Sequence, residues 1–322
     1  MKKTQSIIIM TFLMYFAFEI LTESENILNS VKFSLNIFKN NIFPSLFPFF
    51  ILSSLLINYG FVELMSGIFQ NTMNKIFKIN SKCAFIFFMS IISGNPANSK
   101  YIRKLYLNKD INKYEANKIL CFSSFTSPLF ILGAIQIFLN NKEIPILIMI
   151  CHYLSNIIIG ISMRNYHPSK PEKKITLKKA INNMHEKRIN NKKSFGNILT
   201  NSITNSINTL LLILGVVTIC LVLTTIINSN ISLNSTLQSI LNGFIEMTQG
   251  LKYISIENIP LKMKGILTTM ILSFGGLSVH LQIMSILSDT DIKYLPFLTS
   301  RILASLISGI LMYITFEPFM NM

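Results

Sequence analysis

Tryptophan is absent from the 322 residues, charged residues make up only 13%, and just four of the 29 basic residues are arginine: Arg103, Arg164, Arg188 and Arg301. Missing tryptophan and lysine in place of arginine, in a chain full of Ile and Asn, mark an AT-rich coding sequence rather than a function. The scarcity of charge excludes an ordinary soluble domain, because half of the residues are hydrophobic and mean hydropathy is +0.49. Cysteine is sparse too. Cys83, Cys121, Cys151 and Cys220 stand singly in or beside apolar segments, with no Cys-x-x-Cys and no histidine at zinc spacing, so they read as small core residues. No metal site and no cofactor are expected. The chain also lacks a Gly-x-x-x-x-Gly-Lys loop, a His-Glu-x-x-His helix, a Gly-x-Ser-x-Gly elbow and a usefully spaced Cys-His pair, so it does not read as an enzyme. A net charge of +15 raises nucleic acid as a partner. That requires clustered basic residues on a folded surface, whereas these lysines lie between apolar runs, where the positive-inside rule accounts for them.

What is present is one apolar run after another. Spans are predicted near residues 5–21, 43–60, 121–139, 145–163, 199–227 and 294–317, each close to the ~20 residues a bilayer needs. Lys2-Lys3 followed by Ile7 to Ile20 imitates a signal peptide. The run ends in Glu19-Ile20-Leu21-Thr22-Glu23 without a small-x-small cleavage site, which predicts an uncleaved first helix. Residues 26–41 look amphipathic, and residues 231–251, with Asn234, Gln238, Asn242, Glu246 and Gln249, look interfacial or cavity-facing.

Two apolar stretches are interrupted where a membrane helix is normally continuous, at Ser93-Gly94-Asn95-Pro96 and at Ser273-Phe274-Gly275-Gly276. In hydrocarbon an unpaired backbone group costs several kcal/mol, so non-helical backbone at that depth survives only inside protein or beside a watery cavity. Residues 83–93 are apolar for about eleven positions, ~16 Å of helix, which is too short for a ~30 Å core and predicts a re-entrant half-helix. Residues 264–287 predict a broken helix. Paired breaks of this kind are where secondary transporters bind substrate and coupling ion.

Charge sets the orientation. The loop from Arg164 to Lys193, the segment 97–118 and Lys2-Lys3 are all basic and are assigned to the cytoplasm, with the N-terminus inside. That assignment holds only if residues 83–96 dip in and return. Gly60-Phe61-Val62-Glu63 recurs as Gly243-Phe244-Ile245-Glu246, each about thirty residues before a glycine break, with three crossings between the copies. An odd count predicts an inverted-topology internal repeat. The fold class is therefore an all-α membrane protein, a polytopic helical bundle with re-entrant and broken helices. Residues 1–40 form an anchor and amphipathic segment, 41–163 a first repeat, 164–195 a basic cytoplasmic loop and 196–322 a second repeat.

Phe43-Pro44-Ser45-Leu46-Phe47-Pro48-Phe49, Ser93-Gly94-Asn95-Pro96, Ser127-Pro128-Leu129-Phe130-Ile131-Leu132-Gly133-Ala134, and above all Phe274-Gly275-Gly276-Leu277-Ser278-Val279-His280-Leu281-Gln282 with Ser285 to Asp291, resemble the YlbJ family of sporulation integral membrane proteins. That family is part of the nucleoside-recognition, or Gate-domain, group, shared with concentrative nucleoside transporters and the iron transporter FeoB. The likeness covers about residues 40–165 and 195–318. In the family pattern the first break is Gly-Tyr-Pro-x-Gly-Ala-Lys; here Asn95, Asn98 and Ser99 replace its tyrosine, second glycine and alanine. Ser127 stands where the family has Asn before Pro-Leu-Phe. The resemblance implies a multi-pass membrane protein of the mother cell, in the bacterial cytoplasmic membrane, needed for endospore formation.

The candidate substrate- or ion-binding residues are Glu63, Gly94, Asn95, Pro96, Ser123, Ser124, Thr126, Ser127, Glu246, Gly275, Gly276, Ser278, His280 and Gln282. Glu63 and Glu246 are ionisable groups at the ends of apolar runs, sites of function by default, though an interfacial carboxylate is simply hydrated. His280 can titrate near neutral pH or bind an ion, and equally reads as a packing residue. The hydroxyls of residues 123–127 can replace backbone bonds lost at Pro128 or bind solute. Asp289, Thr290 and Asp291 read as a polar turn, with Arg301 snorkelling to the interface or pairing with Asp291. The expected partners are the lipid bilayer, a small polar solute with H⁺ or Na⁺ coupling, and a second copy in a homo-oligomer. The alternative is a non-transporting scaffold for spore-envelope assembly that recruits partners through the basic loop.

Overall fold

A computed structural model of the chain describes residues 3–170 and 172–321. Lys2, one of the charges assigned to the cytoplasmic side, lies outside them. All regular structure among the described residues is helical: α1 (Lys3–Thr22), α2 (Ser24–Ile37), α3 (Phe43–Asn58), α4 (Phe61–Ile68), α5 (Cys83–Ser93), α6 (Ala97–Leu107), α7 (Lys113–Phe122), α8 (Gln136–Leu139) and α9 (Ile144–Ser162), then α10 (Leu177–Asn190), α11 (Phe195–Asn230), α12 (Ser235–Ile245), α13 (Met247–Ile256), α14 (Leu261–Phe274), α15 (Gly276–Ile286) and α16 (Tyr294–Met320). Among the described residues six stretches are long and apolar enough to cross a membrane: Lys3–Thr22, Ser24–Asn58, Ile144–Asn165, Phe195–Asn230, Leu261–Ile286 and Tyr294–Met320.

Helix α11 organises the first half. Its 36 residues, ~54 Å at ~1.5 Å per residue, pack against both α2 and α3. Ser34 and Thr218 hydroxyls meet at 2.8 Å and Ser202 donates to Ser54 at 2.8 Å, so the two stretches run antiparallel. Residues 26–41 are thus not a separate interfacial helix. One wider π-type turn at Phe38–Ile42 joins α2 to α3, and it falls just before Pro44 and Pro48, which cannot donate to the helical ladder. The amphipathic face, with Ile27, Ser34 and Ile37, is buried against α11 instead of lying on lipid.

In the second half α14, α16 and α9 pack as a triad. Gly309 lets α16 approach α14, since a Cβ there would lie 2.6 Å from Met270 Cγ; Gly265 does the same against Met312 Cε at 2.6 Å. Small residues at helix contacts are how membrane helices gain van der Waals packing without a hydrophobic drive between them.

One further expectation is corrected. The segment 121–139 is not one span: α7 stops at Phe122, residues 123–127 are non-helical, and helix resumes over 128–139. Serine and threonine hydroxyls, backbone-competing groups, occupy four of those five positions. Residues 231–251, read as interfacial or cavity-facing, form two helices whose junction lines a cavity. Helices α12 and α13 fold against each other around Glu246, with Gly250 so close to Gly243 that a Cβ on it would meet the Gly243 Cα at 2.0 Å.

Glu63 sits far from that turn in its surroundings. It begins α4, which carries the basic-loop helix α10, and its carboxylate lies 3.7 Å from Lys187 Nζ and 3.9 Å from Lys82 Nζ. The likeness between Gly60-Glu63 and Gly243-Glu246 therefore falls on unlike elements, since Gly60 precedes α4 and Gly243 lies inside α12. A Cβ on Gly67 would be 2.3 Å from the Ala180 Cβ, so α10 docks only against a bare α4 surface. Gly67→Leu is expected to push α10 away, at a cost of about 1–3 kcal/mol. Trypsin should then cut the lysines of 170–193 roughly tenfold faster, with the amount of membrane-inserted chain unchanged. Unchanged cleavage would mean that α10 is not held by this contact.

Candidate functional site

Four interruptions of helical backbone meet in the middle of the bundle. The first is Gly94-Asn95-Pro96, between α5 and α6. Gly94 has φ +75 and ψ −174, a conformation reserved for glycine, and a Cβ on it would lie 2.5 Å from Ser127 N. Asn95 N–H donates to Phe125 O at 2.7 Å, tying the first interruption to the second, residues 123–127. Asn98 is fully buried and donates to Ser124 Oγ at 3.2 Å; Ser99 Oγ donates to Pro96 O at 2.6 Å. The close backbone approach here belongs to Gly94.

The third interruption is Glu246, in extended backbone between α12 and α13, where Oε2 accepts Gln249 N–H at 2.8 Å as the N-cap of α13. The fourth is Gly275-Gly276, with φ +91 and +68. A Cβ on Gly276 would meet Met247 N at 3.0 Å and Gly243 O at 3.2 Å, so the third and fourth interruptions are in contact as the first and second are.

Backbone groups freed at these points are satisfied from far along the chain. His152 on α9 is fully buried; its Nε2 accepts Thr126 N–H at 3.0 Å, which puts the ring proton on Nδ1, 2.8 Å from Ser273 Oγ. The Tyr153 hydroxyl lies 2.9 Å from Thr126 O and 3.2 Å from Ile91 O. Arg301 on α16 is 1% exposed and reaches neither interface nor Asp291, which corrects both expectations for it. Its guanidinium donates to Cys121 O, to Ser124 O at 3.3 Å and to Ser273 O at 3.4 Å, bridging the carbonyl ends of α7 and α14. Helix C-termini carry partial negative charge, so a buried cation fits there without a carboxylate. Asp291 instead accepts from Tyr106 at 3.1 Å, while Arg103 holds Asp289 through two hydrogen bonds, keeping that carboxyl below its ordinary pKa. Because the folded pKa is the depressed one, this latch is at full strength above the ordinary aspartate range and weakens as pH falls through the lowered value.

A cavity of about 70 Å³ lies where the four interruptions converge. Of the fourteen candidates, Asn95, Pro96, Thr126, Ser127, Glu246, Gly275 and Gln282 line it, with Ile213, Val217 and Val279 among the apolar walls. Gly94, Ser123, Ser124, Gly276, Ser278 and His280 lie in the interruptions or just beyond them but off the cavity surface. His280 is spent on structure, its Nε2 donating to Phe274 O at 3.0 Å and its Nδ1 accepting from Tyr294 at 3.0 Å. Glu63 alone is elsewhere. Glu246 is 2% exposed, with Thr248 and Ser278 beside it, and is in no ion pair among the described residues. Asn95 lines the cavity, and its Oδ1 is buried without a hydrogen-bond partner. Within a mostly apolar lining, the Glu246 carboxylate, the Asn95 and Gln282 amides and the Ser45, Thr126, Ser127 and Thr248 hydroxyls are the polar side chains.

His152 and Arg301 have a sequence signal: each is an ionisable residue inside a long apolar run. Their partners have none, since they lie 26 to 180 residues away.

No protein-family model matches the chain, and no solved structure does. Sporulation integral membrane protein YlbJ of Bacillus subtilis (strain 168) is 30% identical over 345 aligned positions, which take in 99% of this chain and 84% of that protein. Likeness that runs through all four interruptions and both ends of the bundle is a likeness of the whole chain, and it belongs to the family of the sporulation integral membrane protein YlbJ.

Proposed function

We propose that the chain is a secondary transporter-like protein of sporulation membranes that moves a small polar solute or ion through the cavity at the four interruptions. The observation that carries this reading is Glu246. A carboxylate buried at bilayer depth without a cationic side chain must be neutralised by a proton or a bound cation, and that is the device of H⁺ or Na⁺ coupling.

Element order supports an inverted-topology repeat and the Gate-like architecture. Helix α3, the pair α5/α6, the interrupted α7/α8 and α9 are followed in the same order by α11, the pair α12/α13, the interrupted α14/α15 and α16. Glu246 then corresponds to Gly94-Pro96, and Gly275-Gly276 to residues 123–127. In this reading α5/α6 and α12/α13 are re-entrant hairpins entering from opposite sides. Starting from a cytoplasmic N-terminus, the crossings bring residues 287–293 back to the cytoplasm, where Arg103 and Tyr106 hold Asp289 and Asp291.

The test is complementation. In a Bacillus subtilis strain lacking its own YlbJ, this chain with Glu246→Gln is expected to lower heat-resistant spore yield at least about tenfold, the effect of ~1.4 kcal/mol at a coupling group. Membrane abundance should be normal, and Glu63→Gln should stay near full yield. Full rescue by Glu246→Gln overturns the reading. A second reading, a scaffold for spore-envelope assembly, is favoured by the docked basic helix α10; it requires the opposite pattern, with losses on disrupting α10 and none at Glu246.

A further inference from the structure

A second polar cavity lies outside the four interruptions. It measures about 610 Å³, between α3, α6, α11 and α15, and a neighbouring space of about 200 Å³ shares its Ser54, Lys104 and Asn205 walls. Lys100 and Lys104 are one helical turn apart on α6 and both face it, Arg103 stands at its wall, and Lys193 enters from the smaller space. Arg103 is neutralised by Asp289. Lys100, Lys104 and Lys193 have no carboxylate partner among the described residues. Lys100 instead lies 4.4 Å from the centre of the Phe50 ring and 3.2 Å from Ser206 Oγ, and Lys104 donates to Ser54 O at 3.4 Å. Opposite them, Asn205 and Asn208 on α11 line the cavity.

Basic side chains crowded beside an apolar wall repel one another; Asp289, the carboxylate in the lining, is taken by Arg103, and none of the three lysines is in an ion pair among the described residues. A bound anion relieves them. We propose that this cavity is an anion site for a phosphate group, held by Lys100, Lys104 and Lys193 with the Asn205 and Asn208 amides as further donors. Its size suits a phosphate carried on a larger molecule as well as the free ion. The shared chemistry is a tetrahedral oxyanion, from inorganic phosphate or from the headgroup of an anionic lipid.

The full chain, purified and stripped of lipid in neutral detergent, is titrated with sodium phosphate against sodium chloride at equal ionic strength while its unfolding midpoint is followed. In parallel it is reconstituted in phosphatidylcholine discs with and without phosphatidylglycerol. A saturable rise of the midpoint with phosphate, weakened at least about tenfold in Lys104→Gln/Lys193→Gln and kept in Lys104→Arg, supports the free-ion source; charge-assisted hydrogen bonds have that magnitude. A rise with phosphatidylglycerol alone, lost in the same double variant, supports the lipid source. Asn208→Asp, at an exposed position in the lining, adds a carboxylate to the cavity wall and should abolish either response. No response to either anion, or a response that survives both the double variant and Asn208→Asp, overturns the proposal.

Discussion

Arg301→Ala is expected to remove most of the folded chain from the membrane. The guanidinium serves three carbonyls, of Cys121, Ser124 and Ser273, on two helices that end inside the bundle. Without it these oxygens face neither water nor another donor. Removing one partner of a buried charged contact costs about 3–5 kcal/mol, which is comparable to the whole stability of many domains. Lysine should rescue only in part, because one ammonium cannot fork between the ends of α7 and α14 as a planar guanidinium does. Arg301→Met keeps much of the side-chain volume and should fail almost as badly as alanine, which separates loss of donors from loss of packing. Membrane abundance and the midpoint of heat-induced aggregation read all three. Normal abundance and an unchanged midpoint for Arg301→Ala would mean that these carbonyls are satisfied some other way.

That arginine also shows where sequence reading stops. Gly94, Gly275-Gly276 and Glu246 are legible because each violates a local rule: glycine or proline inside an apolar run, or a carboxylate at depth. The short α5 was legible for the same kind of reason, since eleven apolar residues cannot span. The non-helical segment 123–127 was legible only in part: Pro128 and the hydroxyls of Ser123, Ser124, Thr126 and Ser127 disfavour helix locally, but they do not say how far the break extends. It opens because His152, Tyr153 and Arg301, each far along the chain, take up the backbone groups it releases. Glu63 shows the reverse case. A four-residue likeness paired it with Glu246 as a repeat equivalent, but tertiary packing gave it Lys82 and Lys187 as neighbours and placed it in the seat for α10. Segment 26–41 is intermediate: its amphipathic pattern was visible, but whether the apolar face meets lipid or another helix depends on α11, nearly two hundred residues later.

Gly94→Ala should be among the most damaging single-methyl changes in the chain. A φ of +75 with ψ near 180 disfavours any side chain by about 1–3 kcal/mol before packing is considered. The added methyl would also sit 2.5 Å from Ser127 N and 3.1 Å from Ser127 Cα. Those are backbone atoms, fixed by the hydrogen bond from Asn95 N–H to Phe125 O and by the bond from Thr126 N–H to His152, so they cannot turn aside as a flexible side chain would. Relief requires the first and second interruptions to part, which opens the cavity wall that Asn95, Thr126 and Ser127 share. Gly215→Ala is the matched control. It adds the same methyl inside α11 with nothing within 4 Å of it, and better helix propensity should leave the chain unchanged or up to ~1 kcal/mol more stable. In the complementation assay Gly94→Ala is expected to abolish heat-resistant spores and lower the melting midpoint, while Gly215→Ala keeps both. Equal behaviour of the two variants would mean that the two interruptions are not packed backbone to backbone, and the cavity would lose its rigid wall.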